Sequence, residues 1–148
     1  IQSFRDIESP ADLFDFEKIM GEIVYKRCMY VVEEIHRTKK AATLLKENDI
    51  TGFGKLMFET HEGLKNLYEV SCKELDFLID VARENKEVIG ARLMGGGFGG
   101  CTINIVKEES VSSFLSEILP AYKKEFNIDA ESYDMKVVDG VSEMKNKE

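Results

Sequence analysis

Residues 88–106 read VIGARLMGGGFGGCTINIV, and the two ends of this stretch differ in character from its middle. Both ends are short and carry β-branched residues, and Ile103 and Ile105 alternate with polar neighbours, which predicts two strands. The middle holds five glycines in six positions. A connection this short joins strands that run in opposite directions, so the stretch predicts an antiparallel hairpin at the centre of the fold.

Helical periodicity surrounds this hairpin. Apolar residues recur at helical spacing in residues 9–48, 53–67, 71–86 and 109–126. Farther along, apolar and polar residues alternate again, which predicts a last strand that carries Tyr133, Met135 and Val137 on one side. These elements predict an α+β fold, in which helices pack against a small antiparallel sheet.

Local signals refine the helices. In residues 9–48, one apolar stripe is expected to pack, namely Val24, Cys28, Val31, Ile35, Thr38, Ala42 and Leu45. Gly21 leaves open one long helix or two joined helices there, and Gly63 leaves the same choice for residues 53–67. Ser71 and Glu74 have the spacing of a capping box, and Pro120 is expected to kink its helix or end it early.

Composition excludes several classes of protein. The chain has 148 residues, of which 43% are hydrophobic and 32% charged, so residues 1–148 are expected to form a single domain. A net charge of −8 without a basic block argues against binding nucleic acid, and no apolar run is long enough for a membrane span. Cys28, Cys72 and Cys101 form no CxxC pair, which favours a reducing, cytoplasmic location. Because the chain begins at Ile1, we expect it to be part of a longer protein.

The glycine loop, defined as Gly95, Gly96, Gly97, Phe98, Gly99 and Gly100, is the candidate functional site. Glycines can adopt positive φ and point several backbone N–H groups at one anionic oxygen, so contact with a phosphate or a substrate is favoured over a plain turn. A strand follows the loop where a dinucleotide-binding fingerprint would have a helix. No Gly-Lys-Ser/Thr triplet is present to complete a P-loop.

Residues 90–102, GARLMGGGFGGCT, resemble the third motif of the GHMP small-molecule kinases in its galactokinase form. A second stretch, in which Thr60-His61-Glu62-Gly63-Leu64 precedes YEVSCKELD at 68–76, resembles the same family. Val31-Val32 with Glu34 and Arg37 falls where the family has a similar motif, and Asp139-Gly140 matches its closing pair. The resemblance therefore extends from Arg27 to Gly140.

Five positions depart from the residues that are usual in this family, although none of them removes a glycine. They are Tyr30 for histidine, Thr60 for serine, Lys73 for proline, Ala91 for serine and Met94 for threonine. Met94 has no hydroxyl, so a hydrogen bond from that position cannot be carried over to this chain.

The resemblance implies a two-domain, cytoplasmic kinase that phosphorylates galactose at its anomeric hydroxyl from ATP with magnesium. This chain would be the second domain, ferredoxin-like in fold, with the glycine loop lining the cleft between domains. The catalytic and nucleotide-binding motifs of the family lie in its N-terminal domain, so we expect no catalytic residue and no metal ligand here. Alone, the chain would bind no cofactor and be inactive; its partners would be that N-terminal domain, galactose and ATP. Alternatives are a kinase for N-acetylgalactosamine, a non-catalytic galactose and ATP sensor, and a standalone binding module.

The remaining chemistry-bearing residues are expected to have structural roles. His36 and His61 have no partners at metal-ligand spacing, and His61 is expected to make a packing or interdomain hydrogen bond. Cys72 and Cys101 lie in apolar contexts and are expected to be buried. Phe98 is expected to anchor the glycine loop in the core, because large apolar residues are usually buried.

Overall fold

A computed structural model describes residues 2–138 and 140 of the chain. Five α-helices and two strands form its body: α1 Glu17–Met20, α2 Glu22–Lys46, α3 Ile50–Asn66, α4 Lys73–Glu84, β1 Val88–Met94, β2 Cys101–Val106 and α5 Val111–Phe126. Short 3₁₀ helices occupy Phe4–Asp6, Pro10–Phe16 and Glu108–Ser110. Asp139 lies outside the described residues, as does the charged tail from residue 145.

The predicted hairpin forms the sheet. β1 and β2 pair antiparallel, with Met94 opposite Cys101, Arg92 opposite Ile103 and Gly90 opposite Ile105. Because this sheet packs against helices from both halves of the chain, the predicted α+β class with a small antiparallel sheet is confirmed.

The main core lies where α4 and α5 meet β1. Leu75, Ile79 and Ala82 of α4 are spaced by four and three residues, which places them on one face, and each is at most 1% exposed. Ile79 and Ala82 pack with Val88 of β1 and with Phe114 and Ile118 of α5. Burying one such aliphatic side chain stabilises the fold by about 1.5–3 kcal/mol.

Helix α3 meets β1 backbone to backbone. A Cβ atom built on Gly54 would lie 2.6 Å from the carbonyl carbon of Ile89 and closer still to its oxygen. A Cβ atom on Gly90 would lie 2.6 Å from the carbonyl oxygen of Gly54. Only a pair of glycines lets the helix lie this near the strand, and this contact fixes the start of β1 against α3.

The first helical segment differs from the predicted stripe. Gly21, at φ +76°, separates α1 from α2, so two joined helices are observed. The buried residues of α2 are Tyr30 and Val32, whereas Val24 and Leu45 are about half exposed. The single predicted stripe is wrong because two neighbours select different sides of α2: the ring of Tyr30 packs over Gly63 of α3, and Val32 packs with the N-terminal segment.

Two other expectations need correction, and a choice that the sequence left open is resolved. The Ser71–Glu74 capping box does not form, because α4 begins at Lys73 and the Ser71 hydroxyl donates to Asp76 instead. Pro120 does not end α5; the buried residues on either side of it, Ile118 and Tyr122, hold the helix against the core and offset the lost backbone hydrogen bond. Of the alternatives left open at Gly63, a single helix is observed, since α3 runs through this residue without a break.

The predicted last strand is also wrong for the described residues. Residues 128–138 have no regular secondary structure, and Tyr133, Met135 and Val137 are 73%, 62% and 104% exposed. Alternation of apolar and polar residues does not produce a strand here, because no other strand of the described chain pairs with this segment. Neither of its sides is covered by packed residues. Among residues 2–138 and 140, none of the helices combines the length and the apolar run that a bilayer crossing needs.

Candidate functional site

The glycine loop connects β1 to β2 as a series of bends held at positive φ. Gly95, Gly97, Gly99 and Gly100 have φ of +87°, +83°, +133° and +92°. A Cβ atom added at Gly95, Gly96, Gly99 or Gly100 would meet no atom within 4 Å. These four glycines therefore stand clear of the rest of the described chain, and Phe98 has the one loop amide that donates to a backbone carbonyl there.

One point of the loop is fixed to the domain. The backbone N–H of Phe98 donates to the carbonyl oxygen of Val70 at 2.6 Å. A Cβ atom on Gly97 would lie 2.9 Å from the carbonyl carbon of Val70 and closer still to its oxygen. Val70 belongs to the segment between α3 and α4, so this segment contacts the loop at Gly97 and Phe98 and holds it there.

The side chain of Phe98 does not anchor the loop, so that expectation is wrong. Phe98 is 76% exposed and has φ +59°, a left-handed conformation that is uncommon for an aromatic residue. Its main-chain N–H makes the anchoring contact, and this contact turns the ring outward. A large aromatic side chain held in solvent at the tip of a fixed loop is suited to contact something outside this domain.

This exposure leads to a stability prediction. Phe98→Ala is expected to change the free energy of unfolding of the 148-residue chain by no more than about 0.5 kcal/mol, because the residue is 76% exposed and alanine can keep the same backbone conformation. Urea denaturation followed by circular dichroism measures this. A loss above about 2 kcal/mol would mean that the ring is part of the core after all.

A buried histidine lies where β1 runs into the loop. His61 of α3 is fully buried, and its Nδ1 atom accepts a hydrogen bond of 3.4 Å from the backbone N–H of Leu93. Its Nε2 atom lies 3.3 Å from Oδ1 of Asp76. That same oxygen accepts a hydrogen bond from the hydroxyl of Ser71 at 2.6 Å, and Lys65 Nζ lies 3.3 Å from the other carboxylate oxygen. The hydrogen bond expected for His61 is therefore made inside the domain.

Burial lowers the pKa of His61, while the negative charge of Asp76 opposes this shift. The pKa stays below its ordinary value of 6.5, so the imidazole is neutral at pH 7. A neutral ring is what the contacts require, because Nδ1 must keep a lone pair to accept from Leu93.

The lowered pKa of His61 predicts how stability depends on pH. Below pH 6.5 the unfolded chain takes up a proton at this position while the folded chain resists it. The stabilising contribution is present above pH 6.5 and is lost as the pH falls through the lower folded pKa. Urea midpoints measured from pH 7.5 downward should therefore decrease below pH 6.5. His61→Gln should flatten this decrease, whereas His36→Gln should retain it; equal slopes in both variants would contradict the assignment.

Sequence reasoning missed a charged cluster between α2 and α3. Arg37 forms ion pairs with Glu33, Glu34 and Glu59, and the Thr60 hydroxyl donates to Glu34 at 3.0 Å. The three-residue spacing of Glu34 and Arg37 on one helix was the available signal, but the partners on α3 depend on packing. This cluster joins the two helices and lies apart from the glycine loop in the sequence.

The other candidate residues make no second site in the described part of the chain. Cys101 is exposed, which corrects its expected burial, and Cys72 is partly buried at the N-cap of α4. His36 is partly buried and lines a shallow pocket beside Arg37. Within residues 2–138 and 140, no three His, Cys, Asp or Glu side chains are arranged to hold a metal ion.

Comparison with known proteins supports the resemblance seen in the motifs. The family profile "GHMP kinases C terminal" matches residues 41–124, which include α3, α4, the hairpin and the glycine loop. A galactokinase of Thermotoga petrophila is 39% identical over 143 residues, which are 97% of this chain and 39% of that protein. A galactokinase of Bacillus subtilis is 41% identical over 147 residues, which are 98% of this chain and 37% of that protein.

The fold is also similar to that of a solved galactokinase. The crystal structure of Lactococcus lactis galactokinase complexed with galactose superimposes with a TM-score of 0.82 and 35% sequence identity, covering 87% of this chain and 33% of that one. This chain thus spans less than two fifths of the length of these two curated relatives. Because the family profile covers more than half of its residues, the chain belongs to the GHMP kinase C-terminal domain family.

Proposed function

We propose that this chain is the C-terminal domain of a galactokinase, a transferase that phosphorylates galactose from ATP to give galactose 1-phosphate. The observation that carries the proposal is the glycine loop. Its backbone is open to solvent and fixed at one point, in a chain similar to galactokinases over nearly its whole length. An open run of amides suits an anionic oxygen of the nucleotide or of the phosphorylated sugar.

The loop would contribute to catalysis by holding a phosphate group in position and by stabilising its negative charge. Phosphoryl transfer depends on holding donor and acceptor in line and on stabilising charge at the phosphoryl oxygens. Backbone N–H groups at fixed positions contribute to that stabilisation without moving a proton. We assign the acid that orients the sugar hydroxyl to the N-terminal domain, so the 148-residue chain would be inactive alone.

ATP and magnesium are the cofactors of the proposed enzyme. The open backbone of the glycine loop fits one part of this need, contact with a phosphate oxygen. Magnesium prefers carboxylate and phosphate oxygens in an octahedral arrangement, and it supplies charge neutralisation during phosphoryl transfer. We assign its protein ligands to the N-terminal domain, since the glycine loop carries no side-chain oxygen.

The partner domain is supported by the surface of the N-terminal segment. Phe14, Ile19, Ile23 and Val24 are each more than half exposed, although all four are large and apolar. Exposed apolar surface of this kind favours packing against another domain. The cysteines of the described chain are all free thiols, which supports a reducing cytoplasm as the place of action.

The test is galactose- and ATP-dependent release of ADP by the full-length polypeptide, with the 148-residue chain assayed beside it. Activity is expected only in the full-length protein and only when galactose is present. Replacing galactose by N-acetylgalactosamine distinguishes the two sugar kinases. Activity in neither protein would favour a non-catalytic galactose and ATP sensor, and activity in the short chain would overturn the division of roles.

A further inference from the structure

Two contacts fix the backbone around the start of the glycine loop, one just before the loop and one inside it. At the entrance, the Leu93 N–H donates to Nδ1 of His61, two residues before the loop begins. Inside the loop, the Phe98 N–H donates to the carbonyl oxygen of Val70. Between these points Met94 pairs with Cys101 and Gly97 lies against Val70, whereas a Cβ atom on Gly95 or Gly96 would meet no atom within 4 Å. The two contacts therefore add to the strand pairing in fixing where this part of the loop lies.

The two contacts are joined to each other behind the loop. Val70 is followed directly by Ser71, whose hydroxyl donates to Oδ1 of Asp76. That same oxygen faces Nε2 of His61 at 3.3 Å. The path Leu93, His61, Asp76, Ser71, Val70 and Phe98 is therefore a ring of contacts, completed by the loop backbone itself. Three of these contacts are hydrogen bonds, and the one between His61 and Asp76 is a 3.3 Å approach without hydrogen-bond alignment.

We propose that His61 is a positioning residue for the glycine loop, acting through this ring rather than by touching substrate. His61 is the member best placed to set the geometry, because it is fully buried and lies between β1 and the first turn of α4. Nε2 of the neutral ring faces Oδ1 of Asp76 at 3.3 Å without the alignment of a hydrogen bond. The loop is tied to the Asp76 carboxylate through this approach and through the hydrogen bond from the Ser71 hydroxyl.

Because of the position of His61 along α3, replacing it is expected to affect the loop end of β1 and not the start of this strand. α3 contacts the start of β1 through Gly54, against Ile89, and contacts the end of β1 through His61, against Leu93. Removing the imidazole leaves the first contact in place, so β1 stays docked while its loop end is released. The kinetic part of this inference rests on the proposed galactokinase activity; the structural part does not.

The test is amide hydrogen exchange in the 148-residue chain, comparing the native sequence with His61→Leu and Ser71→Ala. His61→Leu keeps the apolar bulk but removes both polar contacts, and exchange at Leu93 and Phe98 is expected to be about tenfold faster. The Phe98 amide is the informative one, because His61 does not touch it. Ser71→Ala, at a partly buried site, is expected to accelerate exchange of the Phe98 amide, with a smaller effect on the Leu93 amide.

Ile118→Val is the control for general destabilisation, since Ile118 lies in the core on α5 and away from the ring. It is expected to leave the ratio of Phe98 exchange to core exchange unchanged. The proposal is overturned if His61→Leu accelerates amide exchange at Leu93 alone, or at all residues equally. Either result would mean that His61 does not determine the position of the loop through the ring. If His61→Leu fails to fold, Ser71→Ala decides through the Phe98 amide.

In the full-length polypeptide, His61→Leu is expected to lower kcat about tenfold or more, while Ile118→Val at a comparable midpoint of thermal unfolding keeps kcat. An equal loss of kcat in both variants would mean that His61 acts through stability alone. Absence of kinase activity in the native polypeptide would count against the proposed function only, because the exchange measurements judge the ring independently.

Discussion

Gly54→Ala is expected to lower the free energy of unfolding by about 3 kcal/mol or more, a large fraction of the roughly 5–15 kcal/mol that is typical of a folded domain. Gly54 lies inside α3, where alanine would ordinarily stabilise a helix by about 0.5–1 kcal/mol. Here the new methyl group would lie 2.6 Å from the carbonyl carbon of Ile89, and closer to its oxygen. The overlap is with backbone, so no side-chain rotation can relieve it, and the usual sign of the substitution is reversed.

Urea denaturation of the 148-residue chain measures the effect, and Gly96→Ala is the matched control. A Cβ atom on Gly96 meets no atom within 4 Å, and Gly96 is not among the glycines at positive φ. The control should therefore unfold close to the native midpoint. A Gly54→Ala protein as stable as the control would show that α3 does not lie against β1 as described.

Gly97→Val is expected to lower kcat/KM of the full-length polypeptide by about a hundredfold or more. Two independent obstacles act at this position. Gly97 has φ +83°, which a β-branched residue adopts only as a genuine outlier, and its Cβ would overlap the carbonyl group of Val70. The loop must then move away from Val70, and the Phe98 N–H loses its acceptor.

Steady-state kinetics with galactose and ATP varied in turn measures this loss, and Ile118→Val serves as the control because Ile118 lies in the core on α5, outside the loop. The control should retain most of the native turnover. Unchanged Michaelis constants and turnover in Gly97→Val would mean that the loop has no part in binding or in phosphoryl transfer.

The sequence predicted the hairpin and a helix within residues 71–86, and both predictions are confirmed. These elements are decided by local signals: strand alternation around a glycine run, and the spacing of Leu75, Ile79 and Ala82. The buried side of α2 was not predictable in the same way. It depends on which neighbours the helix meets, and Gly63 of α3 accommodates Tyr30 only because it has no side chain.

The glycine loop was visible in the sequence, but the contacts that support it were not. Five glycines in six positions are visible in the sequence, whereas the contact between His61 and Asp76 joins residues on two helices and exists only after packing. Phe98 shows the limit of arguing from residue type. Its apolar ring predicted burial, yet the backbone contact with Val70 turns the ring into solvent.

Strand β2 pairs with β1 on one side, and no backbone hydrogen bond joins its other side to the rest of the described chain. An unpaired edge offers a row of N–H and C=O groups on which a further strand can add. Residues 101–106 carry no charged side chain to discourage this. At high concentration, separated copies of the domain are therefore prone to associate edge to edge, so purification of the short chain requires dilute protein or an edge charge such as Thr102→Lys.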